Sequence, residues 1–204
     1  MRHPETRNRI IEITCDIITR QGIRSAHVDD VARIAGISKR TLYEMFKDKN
    51  TLILKCLERL SAWRHEMLRR KLESPEGNSL YKTMGFVREY VDALYMLDSE
   101  FLAELKNNSA FSENYERDSR FWHEMLVELL HQAVRDGYIL PASDVELISE
   151  TMLTRSYELR MEGRNRESQR FLNTALLRGI ATTKGIALFD DMNNYVGLPK
   201  SEPT

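Results

Sequence analysis

The sequence predicts an all-α protein, and three observations carry that reading. Residues that forbid helices are scarce, with 9 Gly and 5 Pro in 204 residues. The prolines (Pro4, Pro75, Pro141, Pro199 and Pro203) stand mostly at segment edges rather than inside apolar-periodic stretches. Apolar residues recur three and four apart for long stretches, and the breaks between stretches carry Gly, Asp, Ser or Asn. No strand pattern, internal repeat or low-complexity tract stands out.

The elements follow in chain order. A first helix is expected over Glu5–Gln21, with Ile10, Ile11, Thr14, Ile17 and Ile18 on one face and Gly22 as its stop. A short second helix, His27–Ala35, turns Val28, Val31, Ala32 and Ile34 inward. Gly36 then permits a tight turn, because it takes positive φ without strain. Ser38 can cap a third helix, Lys39–Phe46, by accepting from first-turn amides. Asp48 can cap a long fourth helix that starts near Lys49 and carries Leu52, Ile53, Cys56, Leu57, Leu60, Trp63, Met67 and Leu68 as a stripe. That helix should end before Ser74-Pro75-Glu76-Gly77-Asn78. Further helices are expected over Leu80–Leu97, Ser99–Asn107, Glu113–Asp136, Asp144–Met161 and Arg166–Phe189, followed by a frayed tail over 190–204.

Composition narrows the function classes. Apolar residues make up 42% and charged residues 30%, the balance of a globular protein and not of a disordered one. No apolar run approaches the ~20 residues of a bilayer span, and no signal peptide precedes the first helix, so a cytoplasmic protein with no membrane partner is expected. Cys15 and Cys56 sit on apolar faces, far apart in sequence and without zinc spacing. They are read as small buried hydrophobes, with a disulfide or redox switch as the alternative. The formal net charge is −1, but it is unevenly spread. Residues 1–50 hold ten basic and seven acidic side chains, and the remainder twenty and twenty-four. A basic head on an acidic body suits a DNA reader.

Two short helices around a glycine turn, braced by a preceding helix, form the helix-turn-helix pattern, whose second helix enters the major groove. In Val31-Ala32-Arg33-Ile34-Ala35-Gly36-Ile37-Ser38-Lys39-Arg40-Thr41-Leu42-Tyr43-Glu44-Met45-Phe46, Ala32 is small where the helices approach. Ile37 and Leu42 plug the space between them. Lys39, Arg40 and Thr41 open the presented helix, where base edges are reached.

Gly22, His27-Val28-Asp29-Asp30-Val31-Ala32 and the run from Ala35 through Lys49 resemble the N-terminal signature of the tetracycline-repressor (TetR) family. The resemblance covers about residues 7–60. It implies a homodimer whose last two helices pair into a four-helix bundle, and an inducer pocket formed by the middle helices. Members mostly repress, and ligand binding shifts the separation of the two heads so that they no longer match the half-sites of a palindromic operator on double-stranded DNA. It further implies that Lys39, Arg40 and Thr41 face bases or adjacent phosphates and that Tyr43 contacts a phosphate. Lys49 would set its charge and a helix N-terminus against the backbone. Arg2, Arg7 and Arg9 are further candidates for flanking phosphates. Three positions depart from the pattern. His27 replaces a capping Thr that contacts phosphate, so contact survives with a weaker cap. Arg40 replaces a small residue and can add a bidentate contact to guanine or to a phosphate. Asn50 replaces a common Glu. For Tyr43, Lys39 and Arg40 the alternative is an ordinary solvated face.

The division expected is a helix-turn-helix DNA-binding domain over 1–50 and a helical effector-binding and dimerisation domain over 51–204. Trp63, Phe86, Tyr90, Phe101, Trp122, His123, Met125 and Tyr157 are candidates for a pocket that takes a small apolar or aromatic effector, with plain core as the alternative. Met96, Phe121, His65 and His131 belong to the same reading. Leu172, Ala175, Leu176, Gly179, Ile180 and Gly185 are candidates for the dimer interface, because small residues keep a helix face thin beside abundant apolar surface. No cofactor or metal is expected, since no His/Cys/Asp cluster has ligand spacing. No G-x-x-x-x-G-K-[ST], G-x-S-x-G or H-E-x-x-H occurs, which argues against an enzyme. A DNA-binding site-marker or a helical protein-interaction protein are the readings that compete with a transcription regulator.

Overall fold

The structure is a computed structural model that describes residues 3–21 and 26–195. Among these residues it is all-α, with ten helices and no strand. They are α1 (His3–Gln21), α2 (Val28–Ala35), α3 (Lys39–Met45), α4 (Lys49–Glu73), α5 (Ser79–Tyr95), α6 (Ser99–Asn107), α7 (Ser112–Arg135), α8 (Val145–Met161), α9 (Arg166–Gly179) and α10 (Thr183–Tyr195). Gly22, Arg2, Arg24 and the tail beyond Tyr195 lie outside the described residues.

The chain packs as two compact units: residues 1–74 with 93–121, and residues 75–92 with 122–204. In the first unit α1 lies across α2 and α4, and α2 meets α3. Ile10, Val31, Leu42, Phe46 and Cys56 are fully buried in its core, which Phe101, Leu105 and Phe111 extend. Burying side chains of this size contributes about 1.5–3 kcal/mol each. The packing of α2 corrects one expectation. Val31, Ala32 and Ala35 are buried and Val28 half-buried, at i, i+3, i+4 and i+7, whereas Ile34 falls off that arc and is 47% exposed. On α4 the stripe is buried from Leu52 to Leu57, but Trp63 and Met67 further along are exposed.

The helix starts follow capping chemistry. Ser38 Oγ accepts from Thr41 N at 3.0 Å and Asp48 Oδ1 from Thr51 N at 2.7 Å, each filling a donor that the first turn leaves open. Asp98, Asp144 and Asn165 cap α6, α8 and α9 in the same way. Between α2 and α3, Gly36 adopts φ 69°, and its N–H reaches back to Arg33 O.

The second unit departs from expectation at its C-terminal end. The single helix expected over Arg166–Phe189 is two, α9 and α10, and helix continues to Tyr195 where a frayed tail was expected. The break at Ile180–Thr182 is held by pairing with the segment after α7. Leu140 N donates to Ile180 O at 3.0 Å and Thr182 N to Tyr138 O at 2.9 Å, and Ile139 and Ala181 form an isolated antiparallel bridge.

Candidate nucleic-acid interface

The residues expected to meet DNA stand at the N-cap of α2, on α3 and at the start of α4. Lys39 and Arg40 open α3 as exposed side chains, and Tyr43, one turn on, is 47% exposed although its neighbour Leu42 is fully buried. Alternation of this kind leaves α3 fixed by one side while its other side is presented. Lys49 opens α4 half-buried and, with Asn50, Ile53, Glu100, Phe101, Glu104 and Phe111, lines an open cavity of about 360 Å³ within the first unit.

Each basic group of α3 has a carboxylate partner in the free protein. Lys39 Nζ lies 2.6 Å from Asp29 on α2, which ties the two helices together. Arg40 Nε donates to Glu44 at 3.0 Å, an i,i+4 pair in which Arg40 is 89% exposed. Exposed pairs of this kind are worth ~0–1 kcal/mol and exchange readily for a phosphate or a base. Thr41 Oγ1 lies 2.9 Å from Ser38 Oγ, so its hydroxyl takes part in the cap and is half-buried. His27 is exposed at the N-cap of α2 and its side chain makes no cap hydrogen bond, as the replacement of a hydroxyl residue implies. Asp30, held below the usual carboxylate range by the Arg33 side chain, adds negative charge at the first turn of α2. Asp48 is also held down, first by the Thr51 amide it caps. Arg7, half-buried, lays its guanidinium over the Phe46 ring 4.9 Å from the centroid.

Residues 10–56 match the bacterial regulatory proteins of the tetR family. This is the segment that contains the braced helix-turn-helix and the foot of α4. Over this segment the chain is similar to the N-terminal domain of TetR-family regulators. The all-α fold of the described residues agrees with that of solved TetR-family regulators. Among curated proteins, the chain is 24% identical over 151 residues to the HTH-type transcriptional repressor KstR2 of Mycobacterium tuberculosis, covering 70% of this chain and 73% of that one. KstR2 of Mycolicibacterium smegmatis is 25% identical over 154 residues, with 70% and 71% covered. Among solved structures, a transcriptional regulator from Saccharomonospora viridis in complex with choline superposes with a TM-score of 0.73 at 16% identity, covering 88% and 99%. The ketosteroid regulator KstR2 of M. tuberculosis gives 0.57 at 21%, covering 86% and 95%.

The pocket candidates divide between the two units. Trp63, 64% exposed, and Phe101, buried, belong to the first. In the second, Trp122 gathers Phe86 and Tyr90, with ring centroids at 5.0 Å and 5.2 Å, and Tyr90 Oη donates to Leu153 O at 3.2 Å. Met125 and Tyr157 are half-buried there, and burial pushes the Tyr157 phenol up. His123 lies between Ser149 Oγ, 3.0 Å from Nδ1, and Glu146, 3.0 Å from Nε2.

On α9, Ala175, Leu176 and Gly179 are exposed and Leu172 and Ile180 half-buried, and open space surrounds the Gly179 Cα. Gly185 is placed otherwise. It is buried on α10 within its own unit, where a Cβ would overlap the Tyr138 carbonyl oxygen, so its missing side chain serves packing inside the chain. Phe171 was not singled out from sequence and is 77% exposed, the most exposed of the large apolar side chains described. Its spacing was the available signal: Phe171, Ala175 and Gly179 follow one another at i, i+4 and i+8 on one face.

Proposed function

We propose that this chain is a homodimeric repressor that binds a palindromic operator through two copies of the head and is released by a small apolar or aromatic effector. The head over 1–50 reads DNA, and residues 51–204 bind the effector and form the dimer. The observation that carries the DNA reading is the exposed polar face of α3, with Lys39, Arg40 and Tyr43 presented while Leu42 anchors the helix. Lys39, Arg40 and Thr41 read bases or adjacent phosphates, while Tyr43, Lys49 and His27 hold the backbone. The dimer forms on the exposed face of α9, where Leu172, Ala175, Leu176, Gly179 and Ile180 are joined by Phe171. Leu147 and Met161 are also exposed, on α8.

The effector reading rests on the aromatic cluster of Phe86, Tyr90 and Trp122 with Met125 and Tyr157 beside it in sequence or space. Aromatic and Met side chains of this kind suit contact with a flat or greasy molecule. The relative KstR2, named a ketosteroid regulator, points the same way.

The experiment is binding to DNA that flanks the chain's own gene, wild type beside Tyr43→Phe and Lys49→Ala, at two salt concentrations. Tight palindromic binding that weakens with salt and with each substitution is expected. Loss of a single phosphate contact also reduces the slope of log affinity against log salt by about 1. Absence of even non-specific binding at low salt overturns the reading.

A further inference from the structure

The two cysteines, 41 residues apart in sequence, meet in the core of the head. Cys15 on α1 points its Sγ at the backbone of α4, 3.8 Å from Cys56 O. Cys56 points its Sγ back at α1, 3.6 Å from Ile11 O. Both thiols are free, and each gives its S–H to a backbone carbonyl of the facing helix. Each sulfur therefore already lies against the other's helix, inside a single packed unit.

We propose that Cys15 and Cys56 form an oxidisable dithiol, which a hydroperoxide converts to a disulfide that clamps α1 to α4 and weakens DNA binding. The asymmetry of the pair sets the order of events. The neighbouring Cys56 side chain holds the Cys15 thiol below its ordinary value, and Arg59 adds to this against burial and the carboxylates of Asp16 and Glu12. The Cys56 thiol is pushed up, first by the neighbouring Cys15 side chain and then by burial. Cys15 also keeps a little access to solvent, whereas Cys56 has none. Cys15 thiolate is then the attacking sulfur. It attacks one oxygen of hydrogen peroxide, forming S–OH as the O–O bond breaks, and the departing hydroxide takes up the proton the Cys15 thiol released, as water. Cys56 sulfur attacks the sulfenic sulfur, the S–O bond breaks, and the hydroxide that leaves takes the Cys56 proton as water. Two thiols and one peroxide give one disulfide and two waters.

The consequence for DNA lies in what the helices carry. A sulfur–sulfur bond of ~2.05 Å is far shorter than a hydrogen-bonded contact, and forming it releases both thiols from their carbonyl partners. Cys56 stands about two turns beyond Lys49 on α4 and shares the core that seats Leu42 and Phe46. Drawing α1 and α4 together moves the support on which the presented helix rests. The disulfide itself is independent of the proposed function; only its effect on DNA rests on that reading.

The test treats the intact protein with hydrogen peroxide, then measures free thiols, the mass of the linked peptides and affinity for the flanking DNA, before and after reduction. The expected result is loss of both thiols and of two hydrogens within one chain, and a roughly tenfold or greater drop in DNA affinity. A reductant restores both, and Cys15→Ala and Cys56→Ala abolish both. Should Cys56→Ala fail to fold, reversal by reductant in the wild type carries the same information. Thiols that still titrate, a sulfinic acid on Cys15 without a cross-link, or a link only between chains overturns the proposal. An oxidised protein that binds DNA as tightly as the reduced one overturns it as a switch. A reduced protein that binds no DNA, yet forms the internal link, overturns the DNA reading and not the dithiol.

Discussion

At the scale of single residues, charge pairing in the free head sets what DNA must displace. Arg40 reaches Glu44 within one exposed helix turn, so a phosphate or guanine competes with a carboxylate for the same guanidinium. Glu44→Gln removes the competitor and a like charge facing the phosphates. DNA affinity is expected to rise roughly two- to fivefold, the equivalent of a surface pair, with a steeper salt dependence. A titration in low and moderate salt checks this, and an unchanged or weaker affinity refutes it. Another residue pair acts on stability. His65 Nε2 donates to Asp118 at 2.7 Å from α4 to α7, with the His65 ring stacked 3.5 Å from that of Phe121. Burial raises the Asp118 carboxyl, but the His65 hydrogen bond with Arg64 outweighs it and the net displacement is downward. A depressed carboxylate contributes stability that is present above its unfolded value of about 3.9 and is lost as pH falls through the folded value. Asp118→Asn is therefore expected to lower stability by about 1–3 kcal/mol at pH 7. Below about pH 4 the gap to wild type should shrink; denaturant midpoints at the two pH values test it. The His65–Asp118 pair was not legible in the sequence, because the two residues are 53 apart and carry no motif.

At the scale of elements, local chemistry announced the helix-turn-helix and its caps, since Ser38, Gly36 and Asp48 act within a few residues of themselves. The α9–α10 break was hidden for the opposite reason. No Gly or Pro stands at Ile180-Ala181-Thr182, and the hydrogen bonds that interrupt the helix come from Tyr138 and Leu140, some forty residues earlier. Helical periodicity simply ran through them. The same docking explains Gly185, read from sequence as a thin interface position. Gly185→Ala sets a methyl against the Tyr138 carbonyl oxygen, and backbone cannot turn aside as a flexible side chain does. The expected cost is about 1–3 kcal/mol from overpacking, seen as a lower denaturation midpoint. Gly179→Ala, which meets nothing, serves as the control and should be neutral or stabilising in the isolated chain. Equal effects at the two glycines would show that the carbonyl contact does not matter.

At the scale of the whole molecule, the head was readable because recognition of DNA demands a dense local pattern, whereas a dimer face is only apolar surface left without cover. Leu176 and Gly179 were legible as small or apolar positions, but Phe171 was lost among Arg170 and Asn173 until its exposure was seen. A lone chain that leaves 77% of a Phe in water forgoes burial worth about 1.5–3 kcal/mol, and a two-fold axis repeats the gain in the partner. Phe171→Glu replaces that gain by a charge that must be desolvated and that faces its own symmetry mate. Association should weaken by about 3 kcal/mol or more, roughly a hundredfold or greater in Kd. In sedimentation at micromolar concentration the variant should move as a single chain of 23.9 kDa while the wild type moves as two. Operator affinity should fall with it, because two linked heads bind the second half-site as an intramolecular event and a monomer does not. Non-specific binding at low salt should fall far less, since each head keeps Lys39, Arg40 and Lys49. A variant that stays dimeric and binds its operator at full strength would move the interface away from this face of α9.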